Sequence, residues 1–490
     1  MNFDKPSQVF YGGSWREVSN GTSFEVFNPA TAEVCTNVAD ASLEDVKFAI
    51  TAAADAKGAW WELSHTRRAG FLLKAADIME ERQQEFVDAL VEEGGSWIGK
   101  AMFETGYSIE ALRAAAAMVF HMNGEVLPSE HGKLSMAVRQ PLGVVSVISP
   151  WNFPLLLSVR GFAVAMAIGN TIVLKPSEET PLAGGLLLAG VFEAAGLPAG
   201  VFNVVTCSRG NVKQVGDEMI ANPAVRGISF TGSTAVGRQI AARAGSLLKK
   251  ACFELGGKDA LIILEDADIE RAVNAATFGS FMHQGQICMS VERIIVHQAV
   301  ADEFTQRLVA NVKTLGMGDP TAMGDVIGPL INQKHLQNVH DQVTDAVEKG
   351  AELLAGGHYE GLFYEPTVLA GVRPDMKIFH EETFGPVAAV ITVADMDEAI
   401  AMANDSEYGL SAGIITRDEN RGMEVARRLE TGMAHINDSS VNDEAHVPFG
   451  GVKNSGMGRQ NGKFSVEAFS ELRWITLERG GRQYPPPFNE

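Results

Sequence analysis

Between residues 142 and 231 short, nearly unbroken apolar runs alternate with stretches of helical spacing. GVVSVI (143–148), TIVLK (171–175), VFNVV (201–205) and RGISF (226–230) are the runs. A strand that is apolar on both sides must be covered on both faces, so the pattern predicts a parallel sheet with helices above and below. Helical spacing follows PWNFP (150–154) to about Ile168, and Pro181 of PSEETP suits a first helical position. In such sheets ligands lie at the carboxyl ends of the strands. PWNFP, KPSE (175–178), TCSRG (206–210) and TGSTAVG (231–237) each follow a strand and are expected to face one crevice.

A second alternating series spans 259–453. DALIIL (259–264), RIIVH (293–297) and AAVITV (388–393) read as strands, with helices near 267–281, 301–314 and 421–430. Residues 44–123 read mostly as helix: Leu72, Leu73, Ala76, Ile78 and Met79 recur at helical spacing among charges. KLSMAVRQ (133–140) and LRWITL (472–477) alternate apolar and polar positions, as a half-exposed antiparallel pair does.

A chain of 490 residues leads to an expectation near three domains at about 150 residues each. Its 46% hydrophobic and 21% charged residues exclude a disordered or collagen-like protein. The net charge of −21 disfavours binding to a phosphate backbone. The four cysteines, Cys35, Cys207, Cys252 and Cys288, are too sparse for a disulfide framework and have no CxxC spacing. Reduced thiols, a cytoplasmic location and no bound metal are expected. The opening MNFDKPSQVFYGG lacks the order of a signal peptide, and the apolar stretch 141–174 is broken by Pro150, Asn152, Pro154, Arg160 and Asn170, so no membrane span is expected.

Several turns carry candidate chemistry. In FTGSTAVG (230–237) a glycine precedes a helix start near Ser233, and free N–H groups there suit a dinucleotide pyrophosphate; an ordinary strand–helix turn reads the same way. KPSE places Lys175 and Glu178 where ribose oxygens would lie, or simply at a solvated turn. GQICMS (285–290) sets Cys288 after a glycine turn, with Cys252 in ACFEL and Cys207 in TCSRG as rivals that spacing alone does not separate. ELGGK (254–258) puts Glu254 at a strand end as general base or ion-paired acid. PWNFP holds Asn152 between prolines, as an oxyanion donor or a residue satisfying its own turn.

Together these segments resemble the aldehyde dehydrogenase superfamily. PWNFP, KPSE, FTGSTAVG, ELGGK, GQICMS, EETFGP (381–386) and PFGGVKNSGMGR (448–459) occur in family order over about residues 20–480, with Glu254 and Cys288 separated by 34 residues. The resemblance implies an α/β fold with a Rossmann-type NAD domain (1–123 and 142–253), an α/β catalytic domain (254–459) and a small β oligomerisation arm (124–141 and 470–490). It implies Cys288 as nucleophile, Glu254 as base and Asn152 as oxyanion donor. NAD, with NADP also possible, would meet Trp151, Lys175, Glu178, Gly232, Ser233, Gly237, Leu255, Glu382 and Phe384. Members that transfer the acyl group to coenzyme A generally lack the glutamate, so a free acid is the expected product.

HQGQICMSVERIIVH (283–297), GPLINQKH (328–335), MAHINDSSVNDEAHVPFGG (433–451) and ELRWIT (471–476) resemble the bacterial benzaldehyde, vanillin and salicylaldehyde dehydrogenases. That narrower resemblance implies an aromatic aldehyde and puts Phe153, Leu157, Arg160, Met289 and Phe449 near the substrate. Arg160 is read as a structural ion pair or a partner for a ring substituent. Two alternatives are a semialdehyde dehydrogenase, for which Arg160 would clamp the acid, and a non-catalytic protein on the same scaffold, disfavoured by joint retention of Cys288, Glu254 and Asn152. The arm implies a homodimer or homotetramer.

Overall fold

The first apolar series forms strands where its pattern predicts them. The computed structural model describes residues 3–129 and 132–488. Its first sheet has eight strands, and five parallel ones make its centre: Phe202–Val204, Thr171–Lys175, Val144–Ile148, Val225–Thr231 and Lys250–Glu254, in that spatial order. From Val144–Ile148 the chain winds outward one way, then returns to lay Val225–Thr231 on that strand's other side. This reversal of winding leaves a crevice beyond the carboxyl ends of the two strands. The period of two then sorts the strand residues. Val145 and Val147 enter the apolar layer with the helices at 65–117, and Val144 and Ile228 enter the opposite layer with Val46 and Ile50.

Two hairpin strands that the periodicity did not reveal, Gln8–Tyr11 and Ser14–Glu17, extend one edge. Gly456–Met457 closes the other edge antiparallel to Lys250–Glu254, so chain from well beyond residue 254 completes this sheet.

The second sheet has seven strands in the order Glu352–Ala355, Thr367–Ala370, Val387–Val393, Val291–His297, Asp259–Ile263, Ala412–Ile415 and His435–Ile436. All neighbouring pairs are parallel except the first. The expected helices lie at Ile269–Phe281, Gln298–Val312 and Glu419–Arg428. Leu134–Pro141 and Ser470–Leu477 pair antiparallel over eight residues, and Glu125–Val126 adds a third strand. Trp474 (68%) and Leu472 (61%) lie open on this small sheet. Residues 1–2, 130–131 and 489–490, which the expected domain and arm boundaries include, lie outside the described residues.

Candidate active site

The turns after the first sheet's strands line a single cavity of about 880 Å³, and it reaches Cys288 from the second half of the chain. Trp151, Asn152, Lys175, Glu178, Gly232, Ser233, Leu255, Glu382 and Phe384 all line it. Gly237 does not. It lies beneath Leu255, whose Cδ2 a β-carbon at 237 would approach to 2.3 Å, so this glycine lets the helix pack against the ELGGK loop.

At one end of the cavity, helix Thr234–Ser246 begins just after Ser233, and Ser233 makes no side-chain cap. Its leading N–H groups are therefore available to an anion. Gly232 N donates to Glu254 O at 3.0 Å, tying this turn to the end of the neighbouring strand. A β-carbon at 232 would come within 2.7 Å of the Phe230 ring. Lys175 is buried and donates to Pro176 O at 2.9 Å. Glu178 lies 3.7 Å from Lys175 Nζ and 3.3 Å from Arg209 Nε. A cavity of this size with free helix amides at one side and a carboxylate at another fits a dinucleotide.

Further along, Trp151, His335 and Phe384 meet edge to face with centroids 5.5–5.6 Å apart. Phe384 sits at φ +55°, a strained conformation for a side chain of that size. A buried ion pair holds it there. Lys258 Nζ and Glu292 Oε2 are 2.6 Å apart, and Glu292 accepts from Thr383 N and Phe384 N at 2.8 Å each. Glu382 accepts from Gly257 N at 2.9 Å, and burial pushes its carboxyl up to about 8.

At the chemical end, Asn152 Nδ2 donates to Gln286 O at 2.9 Å, two residues before Cys288. Cys288 opens onto the cavity, whereas Cys252 and Cys207 are each 1% exposed. Burial raises all these thiols; Cys207 reaches about 11 and Cys35 about 12. At Cys288 the Arg160 guanidinium opposes that rise, as Lys175 does at Cys207. Glu254 ends its strand with both carboxylate oxygens buried and unpartnered. Burial raises its pKa well above the usual carboxylate range, against the pull of Arg160 and Arg459.

Phe153, Leu157, Met289 and Phe449 pack in one apolar cluster with Cys288. Arg160 lies beside it, 4.0 Å from the centre of the Phe449 ring, and forms a buried ion pair with Asp443. Asn461 also donates to Asp443, at 3.0 Å, and Tyr107 hydrogen-bonds to it. Tyr107, Asp443 and the Lys258–Glu292 pair were not singled out in the sequence. Tyr107 sits in an alanine-rich helix and Asp443 in a polar loop, where neither carries a local signal.

The aldehyde dehydrogenase family model matches residues 15–475. A vanillin dehydrogenase from an Amycolatopsis species is 46% identical over 477 residues, 97% of each chain. A benzaldehyde dehydrogenase from Bacillus subtilis is 43% identical, over 99% of this chain and 100% of the relative. A solved salicylaldehyde dehydrogenase from Pseudomonas putida, complexed with salicylaldehyde, superposes with a TM-score of 0.95 at 40% identity, covering 98% of this chain and 99% of that one. Among the described residues no helix is long and apolar enough to cross a membrane.

Proposed function

The chain belongs to the aldehyde dehydrogenase family, and on that premise we propose that it oxidises a neutral aromatic aldehyde to the carboxylic acid with NAD, through Cys288, Asn152 and Glu254. One observation carries the reading: a thiol faces the same cavity as the helix start at Gly232 and Ser233, within electrostatic reach of a buried carboxylate with no partner.

Cys288 attacks the carbonyl carbon as thiolate, because the thiol is a poor nucleophile. Carbon–sulfur bond formation moves a carbonyl electron pair onto oxygen. Asn152 Nδ2 and the Cys288 N–H donate to that oxyanion. NAD, when bound, supplies the hydride acceptor. The loss of hydride leaves a thioester on Cys288. Glu254 takes a proton from water, which attacks the acyl carbon, and the carbon–sulfur bond breaks to release acid and thiolate. Burial raises the pKa of Glu254, which makes its ionised carboxylate a stronger base than a solvated one.

Trp151, Lys175, Glu178, Gly232, Ser233, Leu255, Glu382 and Phe384 hold the dinucleotide, with Gly237 acting by letting Leu255 pack. Glu178 accepts ribose hydroxyls and repels a 2′-phosphate, which favours NAD over NADP. The related enzymes named above act on vanillin, benzaldehyde and salicylaldehyde. The Phe153, Leu157, Met289 and Phe449 cluster suits a planar ring. The semialdehyde reading needs a free cation at Arg160, and Asp443 already occupies it. A panel of benzaldehyde, vanillin, hexanal and succinic semialdehyde tests this. The aromatic pair is expected to have the highest kcat/KM, and a lead for hexanal or the semialdehyde would overturn the substrate assignment. The exposed edge around Trp474 and Leu472 supports association of the small sheet with a second copy of the chain, in a homodimer or homotetramer.

A further inference from the structure

Asn152 must present its amide at a fixed point, yet its own loop offers little to fix it. The next residue, Phe153, is the N-cap of helix Pro154–Ala167 and has no side-chain cap, and Pro154 has no N–H. The helix therefore starts with its free amides at Leu155 and Leu156 uncapped from within. Another helix, Ile98–Ala117, supplies what is missing. Glu104 Oε1 accepts from Leu155 N at 2.9 Å and from Leu156 N at 3.1 Å. Its second oxygen, Oε2, takes Lys100 Nζ at 2.5 Å. Lys100 in turn donates to the backbone carbonyl of Asn152 at 2.7 Å and to Ser96 Oγ at 3.1 Å. Its ammonium stands 4.2 Å from the centre of the Phe153 ring.

Both side chains are fully buried. Burying two charges is costly, and an isolated pair of this kind is weak evidence for stability. This pair is not isolated. It grips the Asn152 carbonyl and the helix turn at Leu155 and Leu156, so the backbone leaving Asn152 on its C-terminal side is fixed. Lys100 and Glu104 are spaced i, i+4 and so share one face of their helix.

We propose that Lys100 and Glu104 are positioning residues for oxyanion stabilisation: together they hold the Asn152 backbone so that its side-chain amide is already aimed when the carbonyl oxygen becomes charged. The inference rests on the assignment of Asn152 as oxyanion donor. Pre-aimed donors act at full strength only if they need not reorganise, and a misplacement of about 1 Å can cost on the order of 100-fold in rate.

The test compares the rate of the pre-steady-state NADH burst on benzaldehyde in the whole enzyme and its variants. Lys100→Met/Glu104→Gln removes both charges together and strands neither. Glu104→Asp keeps the charge and withdraws it by one methylene from the Leu155 and Leu156 amides. Asn152→Ala is expected to slow the burst by about 10²–10³. Each positioning variant is expected to slow it by roughly 10- to 100-fold with KM for NAD unchanged. In the Asn152→Ala background each should add little, since the group they aim is gone. A purely structural role would instead multiply the losses. A parental burst rate in Glu104→Asp or the double variant, beside a slow Asn152→Ala, overturns the proposal alone, as does full multiplication of the effects. A parental burst in Asn152→Ala overturns the oxyanion assignment itself.

Discussion

Glu254→Gln separates the two halves of the reaction and moves stability in the opposite direction from activity. The backbone at 254 is held independently of its side chain. Residue 254 pairs with Thr231, its carbonyl accepts from Gly232 N at 3.0 Å, and Leu255 N donates to Ser455 O at 2.9 Å. A glutamine of the same shape therefore keeps the strand end in place and removes only the base. A positioned base contributes about 10²–10⁴ to the step it serves, so turnover is expected to fall by that factor. Acylation does not use Glu254, so stopped-flow NADH formation should keep a burst close to one equivalent per site.

Stability should respond with the opposite sign. Burial raises the folded carboxyl's pKa well above its ordinary 4.5, so the ionised base carries a cost in the native state that the neutral acid does not. The proton favours the native state, so this contribution is full below the unfolded pKa and is lost as pH rises through the folded one. Each unit of pKa displacement corresponds to about 1.4 kcal/mol. Glutamine does not titrate, so Glu254→Gln should melt higher than the parent, by a margin that widens as pH rises above the ordinary carboxylate pKa. Unchanged turnover, a lost burst in a folded variant, or a margin that narrows with pH would refute the reasoning.

Other substitutions probe the remaining parts. Cys288→Ala should abolish NADH formation and leave NAD binding intact by fluorescence titration; oxidation at the parental rate would return the nucleophile to Cys252 or Cys207. Glu178→Gln should lower the kcat/KM preference for NAD over NADP at least about fivefold, because a charge about 4 Å from a phosphate is worth roughly 1–4 kcal/mol between water and a protein surface. A parental ratio would remove Glu178 from cofactor choice. Asp443→Asn leaves the Arg160 guanidinium buried without its counter-ion. It should cost about 3–5 kcal/mol by urea unfolding and raise the relative kcat/KM for succinic semialdehyde. A folded variant with neither change would show that Arg160 is not held by Asp443.

The sequence by itself determined the alternation of strand and helix, hence a parallel sheet with a crevice at its carboxyl edge. It also determined which turns carry the cysteine, glutamate and asparagine, because runs of β-branched residues and glycine turns are local signals. It could not rank Cys288 against Cys252 and Cys207 by spacing, since a thiol's use depends on what it faces; the fold opens Cys288 to the cavity and seals the other two. The edge strand Gly456–Met457 stayed hidden because it has two residues and pairs at long range, and the hairpin at 8–17 because its four-residue strands are too short to show a period. Gly237 looked like part of the phosphate turn, yet its missing side chain serves a neighbouring loop.

The ion pairs were decided wholly by tertiary structure. Lys100–Glu104 and Lys258–Glu292 carry no local signal, Arg160 reads as an ion pair with no partner named, and only the packing of one helix or loop against another brings the three pairs together and buries them. A charge does that work only where water is excluded, and here it joins distant chain: Arg160 and Asp443 are 283 residues apart, and Lys100 reaches the Asn152 carbonyl 52 residues away.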